Sequence, residues 1–270
     1  WYENPNYDEA WAKLTQSALG DWRKWLREYG HSFEGAEGQP VFSAEEFDRK
    51  LHLQALTPIK YLTICRCWDF GYRMPALVWF QYEEEKDRVH VLAELTGLER
   101  IALPEFARKA IEKQTKWWGV GWEYEDYGDP AGNATSDQTD ISDVELLKNE
   151  FGIEVESSNT RIEHGILSIR VLLAMREDGF PGIVFDHKRC EILTGGMSGG
   201  LVLQEGKDVH QKDGYYEHVF DALRYGIVNK RPFSGLGYVG GGFTHGLRVR
   251  PMARGMLAPK RKTPERKWPV

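Results

Sequence analysis

Short runs of hydrophobic and β-branched residues follow one another between residues 61 and 95, and charged or glycine-containing turns separate them. The runs cover 61–69, 75–82 and 89–95, and each has the length and residue types of a strand. Because the turns are short, consecutive strands are expected to pair as an antiparallel meander.

After residue 100, stretches with helical spacing alternate with further short apolar runs. The predicted helices cover 104–117, 141–150, 161–175 and 216–227. The predicted strands cover 124–127, 153–155 and 183–185. A meander followed by alternating helices and strands is typical of an α/β fold with an RNase H-like mixed sheet flanked by helices.

Both ends of the chain differ from this central part. Residues 1–57 are predicted as helical segments with a linker, and residues 58–231 as the main domain. Residues 232–270 are rich in glycine and then in lysine and arginine, which predicts a flexible tail. Since the first residue is Trp1 and not Met, we expect a fragment or a processed chain. The glycines of 195–200 predict a mobile hairpin.

Composition narrows the class of protein. The chain of 270 residues is 41% hydrophobic and 13% aromatic, which indicates a folded globular protein. Its net charge of -6 argues mildly against a nucleic-acid partner, unless positive side chains are concentrated or metal ions mediate the contact. No apolar run approaches the ~20 residues of a membrane span. The cysteines Cys65, Cys67 and Cys190 are too few for a disulfide framework, which predicts a reducing compartment.

Four polar residues lie at positions where α/β proteins place their sites. Asp69 ends the first predicted strand, and Asp129 follows a later strand in the turn 128–132. His218 and Asp221 are three residues apart, so they project from one face of the last helix. Neighbouring parallel strands that end in carboxylates place them side by side at one sheet edge. The pattern therefore predicts that the four side chains meet.

Three carboxylates in one place repel one another, and divalent cations relieve that repulsion. Oxygen ligands with one imidazole suit Mg²⁺ or Mn²⁺ better than Zn²⁺. Two such ions ~3.5–4 Å apart activate a water and stabilise the leaving oxygen of a phosphodiester. The residues thus predict a two-metal hydrolase that acts on a nucleic-acid backbone.

Three motifs give the chain a family resemblance. They are W-D-F-G at 68–71, D-P-A-G at 129–132 and H-V-F-D-A-L-R-Y-G at 218–226. In sequence, order and separation they resemble the C-terminal nuclease domain of the tailed-phage terminase large subunit. The resemblance covers roughly residues 58–230, and residues 1–50 resemble the end of the family's ATPase domain and its linker.

The resemblance implies metal-dependent cleavage of concatemeric phage double-stranded DNA during genome packaging, in the host cytoplasm. It implies Asp69, Asp129 and Asp221 as catalytic carboxylates that bind two Mg²⁺ or Mn²⁺ ions, with His218 as a fourth ligand or a near neighbour. Besides DNA, the implied partners are a portal protein and a small terminase subunit, and no membrane is implied. A full large terminase also has a packaging ATPase. Because no G-x-x-x-x-G-K-[ST] loop is present here, we expect no ATP hydrolysis by this fragment.

Plainer interpretations of these residues stay open. Aspartates after strands are common turn residues, and an acidic residue on an amphipathic helix often faces solvent. Lys212 precedes the last helix and could contact a phosphate or be an ordinary solvated lysine. Glu94, near the end of the third strand, could approach the metals, but it is expected to be an exposed edge carboxylate. Trp117, Trp118 and Trp122 could stack on bases or pack in the core.

Two other functions also stay open. One is another RNase H-like nuclease, of the junction resolvase or transposase type. The other is a non-enzymatic module that docks to the packaging motor, in which the acidic residues are structural. Cleavage of plain linear duplex argues against the first, and metal-dependent nicking argues against the second.

Overall fold

The computed structural model describes residues 38–71, 73–135 and 141–231. The helices predicted between residues 1 and 30 and the tail predicted at 232–270 lie outside these ranges and stay predictions. No helix within the described ranges is long and apolar enough to cross a membrane.

The described chain begins with a short helix and four strands, continues with alternating helices and strands, and ends with two helices. In order they are α1 (Arg49–His52), β1 (Leu53–Gln54), β2 (Ile64–Asp69), β3 (Ala76–Glu83), β4 (Arg88–Leu95), α2 (Leu103–Trp118), β5 (Tyr124–Gly128), α3 (Asp143–Phe151), β6 (Val155–Glu156), α4 (Ile162–Leu173), β7 (Ile183–Asp186), α5 (Glu191–Gly195) and α6 (Tyr216–Lys230). The helices and strands predicted between residues 61 and 227 are confirmed, whereas α1, β1 and α5 were not predicted.

The seven strands form one sheet in the order β1-β7-β4-β3-β2-β5-β6. Strands β2, β3 and β4 pair antiparallel, which confirms the predicted meander. Strand β5 runs parallel to β2, and β7 runs parallel to β4. The carboxyl ends of β2, β4, β5 and β7 therefore lie at one side of the sheet, which we call the carboxyl edge.

Helices cover both faces of the sheet, so its central strands are buried on both sides. All six residues of β2 are buried. On one face α4 and α6 pack against side chains such as Cys67 and Phe80. On the other face α2 and α3 pack against side chains such as Trp68 and Trp79. This double burial explains why the strands read as nearly continuous hydrophobic runs. The three cysteines are free and buried, as small core residues are.

The glycine-rich segment is part of the packed structure, and the prediction of a mobile hairpin at 195–200 is wrong. Gly195 ends α5, and Gly196–Gly200 follow as a kinked turn in which Gly199 has a φ of 109°. Met197 in this turn is 1% exposed. A Cβ atom on Gly196 would meet the Tyr216 side chain of α6 at 3.2 Å, so the close approach of α6 favours glycine here.

The described part of the predicted linker packs on the main domain. Phe42 and Phe47 belong to the core on the α6 side of the sheet. The Val41 amide donates to the Leu201 carbonyl at 2.9 Å. Strand β1 pairs parallel with β7 at the edge of the sheet. Residues 38–57 therefore complete the sheet and its core, while the proposed domain boundaries remain predictions.

Candidate active site

Adjacent parallel strands bring the first two predicted acids side by side. Asp69 is the last residue of β2 and is 8% exposed. Strand β5 lies directly beside β2, with Gly128 opposite Trp68. Asp129 follows Gly128, and its amide donates to the Trp68 carbonyl at 3.1 Å. The two carboxylates thus leave the carboxyl edge from neighbouring strands.

Glycines in the two strand-end motifs let Phe70 pack beneath the Asp129 turn. A Cβ atom on Gly128 would lie 2.8 Å from the Phe70 ring, and one on Gly132 would overlap that ring. The Asp129 carboxylate accepts the Ala131 amide at 2.9 Å and so caps the 3₁₀ turn that follows. The D-F-G and D-P-A-G motifs are therefore one packing unit that fixes Asp129 beside β2.

Helix α6 lies close against β2 and carries the other two residues. A Cβ atom on Gly226 would overlap Cys67 Sγ and would lie 2.7 Å from the Phe80 ring. At the start of the helix, His218 Nδ1 lies 2.9 Å from Asp69 Oδ2 and donates to it. The structure therefore joins His218 directly to Asp69.

Asp221, one turn further along α6, is held by two basic groups that the sequence analysis did not identify. Arg224 Nε donates to Asp221 Oδ1 at 2.7 Å. His210 Nε2 lies 3.4 Å from the same oxygen, and the His210 side chain is buried. Gly165 of α4 leaves the space for the Arg224 side chain, whose Cδ would lie 2.5 Å from a Cβ atom there.

Electrostatic coupling shows that the three carboxylates share one environment. Burial raises the pKa of Asp69 to about 6, the hydrogen bond from His218 opposes the rise, and the charges of Asp221 and Asp129 add to it. Burial also raises the pKa of Tyr225, and all three carboxylates raise it further. The side chains of Asp69, Asp129 and Asp221 thus lie within electrostatic range of one another.

The acids differ in how their charge is compensated. Burial alone would raise the pKa of Asp221, but His210 and Arg224 outweigh it and hold that pKa below its ordinary value. The hydrogen bond to Asp69 raises the pKa of His218. Asp221 is therefore ionised, and Arg224 supplies its counter-charge. Asp69 is instead a buried acid whose carboxylate accepts a hydrogen bond from His218.

The residues present fit a hard divalent cation, although their arrangement is not a closed cage. Among the described residues, no three Asp, Glu, His or Cys side chains stand close enough together to hold an ion without movement. Each of the three aspartates already accepts a hydrogen bond from protein. A carboxylate has two oxygens and about four lone-pair sites, so each retains acceptor capacity. Oxygen donors with one imidazole, in a place with excess negative charge, suit Mg²⁺ or Mn²⁺.

The remaining candidates lie elsewhere. Lys212 is exposed in the segment before α6, and its contact with DNA stays a prediction. Glu94 was expected to be an exposed edge carboxylate, and this is wrong. Its carboxylate accepts the amides of Ile192 and Leu193 at 2.7 and 2.8 Å, and burial raises its pKa to about 7. Helix α5, which the sequence analysis did not predict, covers Glu94.

The raised pKa of Asp69 predicts a pH-dependent stability for the metal-free protein. A rise from 3.8 to about 6 corresponds to roughly 3 kcal/mol, which favours folding below pH 4 and is lost as pH rises through 6. Asp69→Asn removes the buried charge, so we expect its Tm to exceed that of the wild type by several degrees at pH 7.5 and to match it at pH 4. Asp208→Asn, at an exposed position, should show no such difference. An Asp69→Asn variant that is no more stable than the wild type at pH 7.5 would contradict the burial argument.

Comparison with known proteins identifies the fold. No protein-family model and no curated protein sequence matches the chain. The large terminase of a thermophilic bacteriophage aligns at 16% identity with a TM-score of 0.55, covering 73% of this chain and 46% of that one. The complex of the same terminase with ADP aligns at 16% identity with a TM-score of 0.55, covering 86% and 54%. The P22 large terminase nuclease domain aligns at 18% identity with a TM-score of 0.50, covering 71% and 92%.

The chain thus spans about half the length of the thermophilic phage's large terminase and most of the P22 nuclease domain. At these identities the likeness concerns the fold. The predicted RNase H-like mixed sheet flanked by helices is confirmed.

Proposed function

We propose that this chain is the nuclease part of a tailed-phage large terminase and cleaves concatemeric double-stranded DNA during genome packaging. The observation that carries the proposal is the convergence of Asp69, Asp129 and Asp221 from two strand ends and one helix, where the charges of the other two raise the pKa of Asp69. The fold shared with the P22 large terminase nuclease domain supports it.

The proposed cofactors are two Mg²⁺ or Mn²⁺ ions, held by the three aspartates with His218 beside Asp69. Such ions supply the positive charge that activates water and stabilises the leaving oxygen in phosphodiester hydrolysis. Binding requires the Asp69 carboxyl to lose its proton, and the hydrogen bond from His218 favours that ionised form.

The chain's own residues prepare the site in two further ways. Arg224 and His210 hold Asp221 ionised and oriented, because a charge-assisted hydrogen bond from a guanidinium fixes the carboxylate. The Phe70 ring, packed against Gly128 and Gly132, keeps the Asp129 turn from moving away from β2. In both arrangements, a neighbouring side chain fixes an aspartate that would bind the metal directly. Such support raises metal affinity.

The wider assignment follows from the same proposal. The substrate is double-stranded DNA, the partners are a portal protein and a small terminase subunit, and the place of action is the host cytoplasm. Residues 1–57 would contain the end of an ATPase domain and its linker, and residues 232–270 a flexible basic tail. Without a phosphate-binding loop, this chain is not expected to hydrolyse ATP.

Digestion of a supercoiled plasmid tests the proposal. We expect nicked and linear products with Mn²⁺ or Mg²⁺ and none with EDTA, and equal cutting of linear duplex with or without a four-way junction. A clear preference for junctions would favour a resolvase instead. A folded chain that fails to cut DNA in the presence of Mn²⁺ and of Mg²⁺ would overturn the nuclease assignment and favour a docking module.

A further inference from the structure

A pocket with three basic residues in its wall lies at the carboxyl edge, on the α2 side of the sheet. Its volume is about 330 Å³, and Lys113, Trp117, Lys188 and Arg189 contribute to its wall. It lies between α2 and the segment that follows β7, next to the end of β4. None of the proposed catalytic or metal-binding residues lines this pocket.

The sheet register places the pocket near Asp69. Leu95 at the end of β4, which also lines the pocket, pairs with Leu77, and Leu77 pairs with Trp68. The pocket is therefore two strands from β2 at the carboxyl edge. Two strand spacings correspond to about 10 Å between the backbones of β4 and β2, and the Asp69 side chain faces α6 on the other side of the sheet.

The cations of the pocket are held in place, and few acids neutralise them. Lys113 Nζ and Arg189 Cζ lie 5.4 and 6.0 Å from the centre of the Trp117 ring. That ring packs edge-on against Trp79, with centroids 5.5 Å apart, so it is a rigid support. Within the described ranges, Lys113 and Lys188 form no ion pair, and Arg189 contacts Asp186 at 3.5 Å.

The two acids of the pocket do not cancel this charge. The Glu94 carboxylate is bound by two backbone amides of α5, and Glu191 is exposed at the start of the same helix. Three basic residues of the wall therefore stand against two acids, and because Arg189 also contacts Asp186, Lys113 and Lys188 carry most of the excess positive charge.

Two further arginines lie at the same edge of the sheet. Arg73 and Arg100 are exposed in the loops that follow β2 and β4. The Arg100 amide donates to the Arg73 carbonyl at 3.0 Å, which joins the two loops. Arg100 has a φ of 53°, a left-handed conformation that a residue with a side chain rarely adopts. We call Arg73, Arg100, Lys113, Lys188 and Arg189 the cationic edge.

We infer that the cationic edge binds the phosphate backbone of duplex DNA on the β4 and β7 side of the candidate active site. The inference rests on the proposed function. The cationic edge would then contact phosphates that flank the cleaved one on the same duplex. Basic side chains gathered on one side of the molecule would let a chain with a net charge of -6 hold DNA.

Salt-dependent binding to a short duplex, measured by fluorescence anisotropy with Ca²⁺ in place of Mn²⁺, tests the inference. The variant is Lys113→Ala/Lys188→Ala. The matched control is Lys86→Ala/Lys148→Ala, two exposed lysines of the β3–β4 turn and α3. We expect the variant to lose about two units of the slope of log K against log salt, and the control none. With Mn²⁺, the variant should show a raised KM for DNA cleavage with an unchanged kcat.

A second variant, Lys188→Glu, reverses the charge at an exposed position. It should weaken DNA binding more than removal of the Lys188 charge does. If wild type binds and cleaves DNA while the variants match the control in affinity and slope, the inference is overturned and the proposed function stands. If wild type neither binds nor cleaves DNA, the proposed function fails and the inference with it.

Discussion

Replacement of Asp221 by asparagine is expected to lower the rate of Mn²⁺-dependent DNA cleavage by more than about a hundred-fold, since even residues behind metal ligands typically account for 10–100-fold. The amide has the size of the carboxylate but removes one negative charge from the site. It also leaves the Arg224 guanidinium directed at a neutral group, where its charge would repel an incoming cation. The initial rate of plasmid nicking across a Mn²⁺ titration measures the effect.

Asp178→Asn is the control for this experiment. Asp178 is an exposed aspartate that pairs with Arg88, so its charge is compensated in a similar way at a surface position. Its replacement should leave cleavage within about two-fold, as surface changes usually do. If Asp221→Asn cleaves DNA as fast as Asp178→Asn, Asp221 does not belong to the site.

Gly226→Ala is expected to destabilise the protein by about 3 kcal/mol, the upper part of the range for overpacked cores. The new methyl group would overlap Cys67 Sγ and approach the Phe80 ring at 2.7 Å, so α6 must move away from the sheet. Helix propensity alone favours alanine over glycine by about 1 kcal/mol, so propensity predicts the opposite sign. Because α6 also carries His218 and Asp221, cleavage should fall together with stability. Urea unfolding and plasmid nicking measure the two effects.

Two further variants test whether the close contact between Gly226 and Cys67 causes the loss of stability. Gly71→Ala adds a methyl group where no atom lies within 4 Å, so its stability should match the wild type. Cys67→Ala removes the overlapping sulfur, so the double variant Cys67→Ala/Gly226→Ala should recover part of the loss and give a non-additive cycle. A Gly226→Ala variant as stable as the wild type would show that α6 does not depend on this close contact.

The fold could be predicted wherever a hydrophobic pattern was long enough. Strands β2, β3 and β4 are buried on both faces and stand out as apolar runs. Strand β1 has only two residues and depends on pairing with β7, which no local pattern reveals. The kinked turn Gly196–Gly200 has the composition of a loop, and its packing against α6 is set by tertiary contact that the composition does not reveal.

The candidate site was predictable to the same degree. The three aspartates and His218 were predicted as site residues because they end or follow predicted strands or share a helix face, and their role stays a proposal. Arg224 could have been found as well, because it lies three residues after Asp221 on one helix. His210 could not, since only tertiary structure brings it to Asp221. The burial of Glu94 depends on α5, which follows far along the chain.

The central claim is that side chains distant in sequence hold divalent ions together, and diffraction tests it most directly. Crystals soaked in Mn²⁺, with data collected at the manganese absorption edge, would locate each ion by its anomalous signal. We expect peaks within coordination distance of Asp69, Asp129 and Asp221, and their loss in Asp129→Ala crystals. Peaks only at other carboxylates, or the same peaks in Asp129→Ala, would contradict the account.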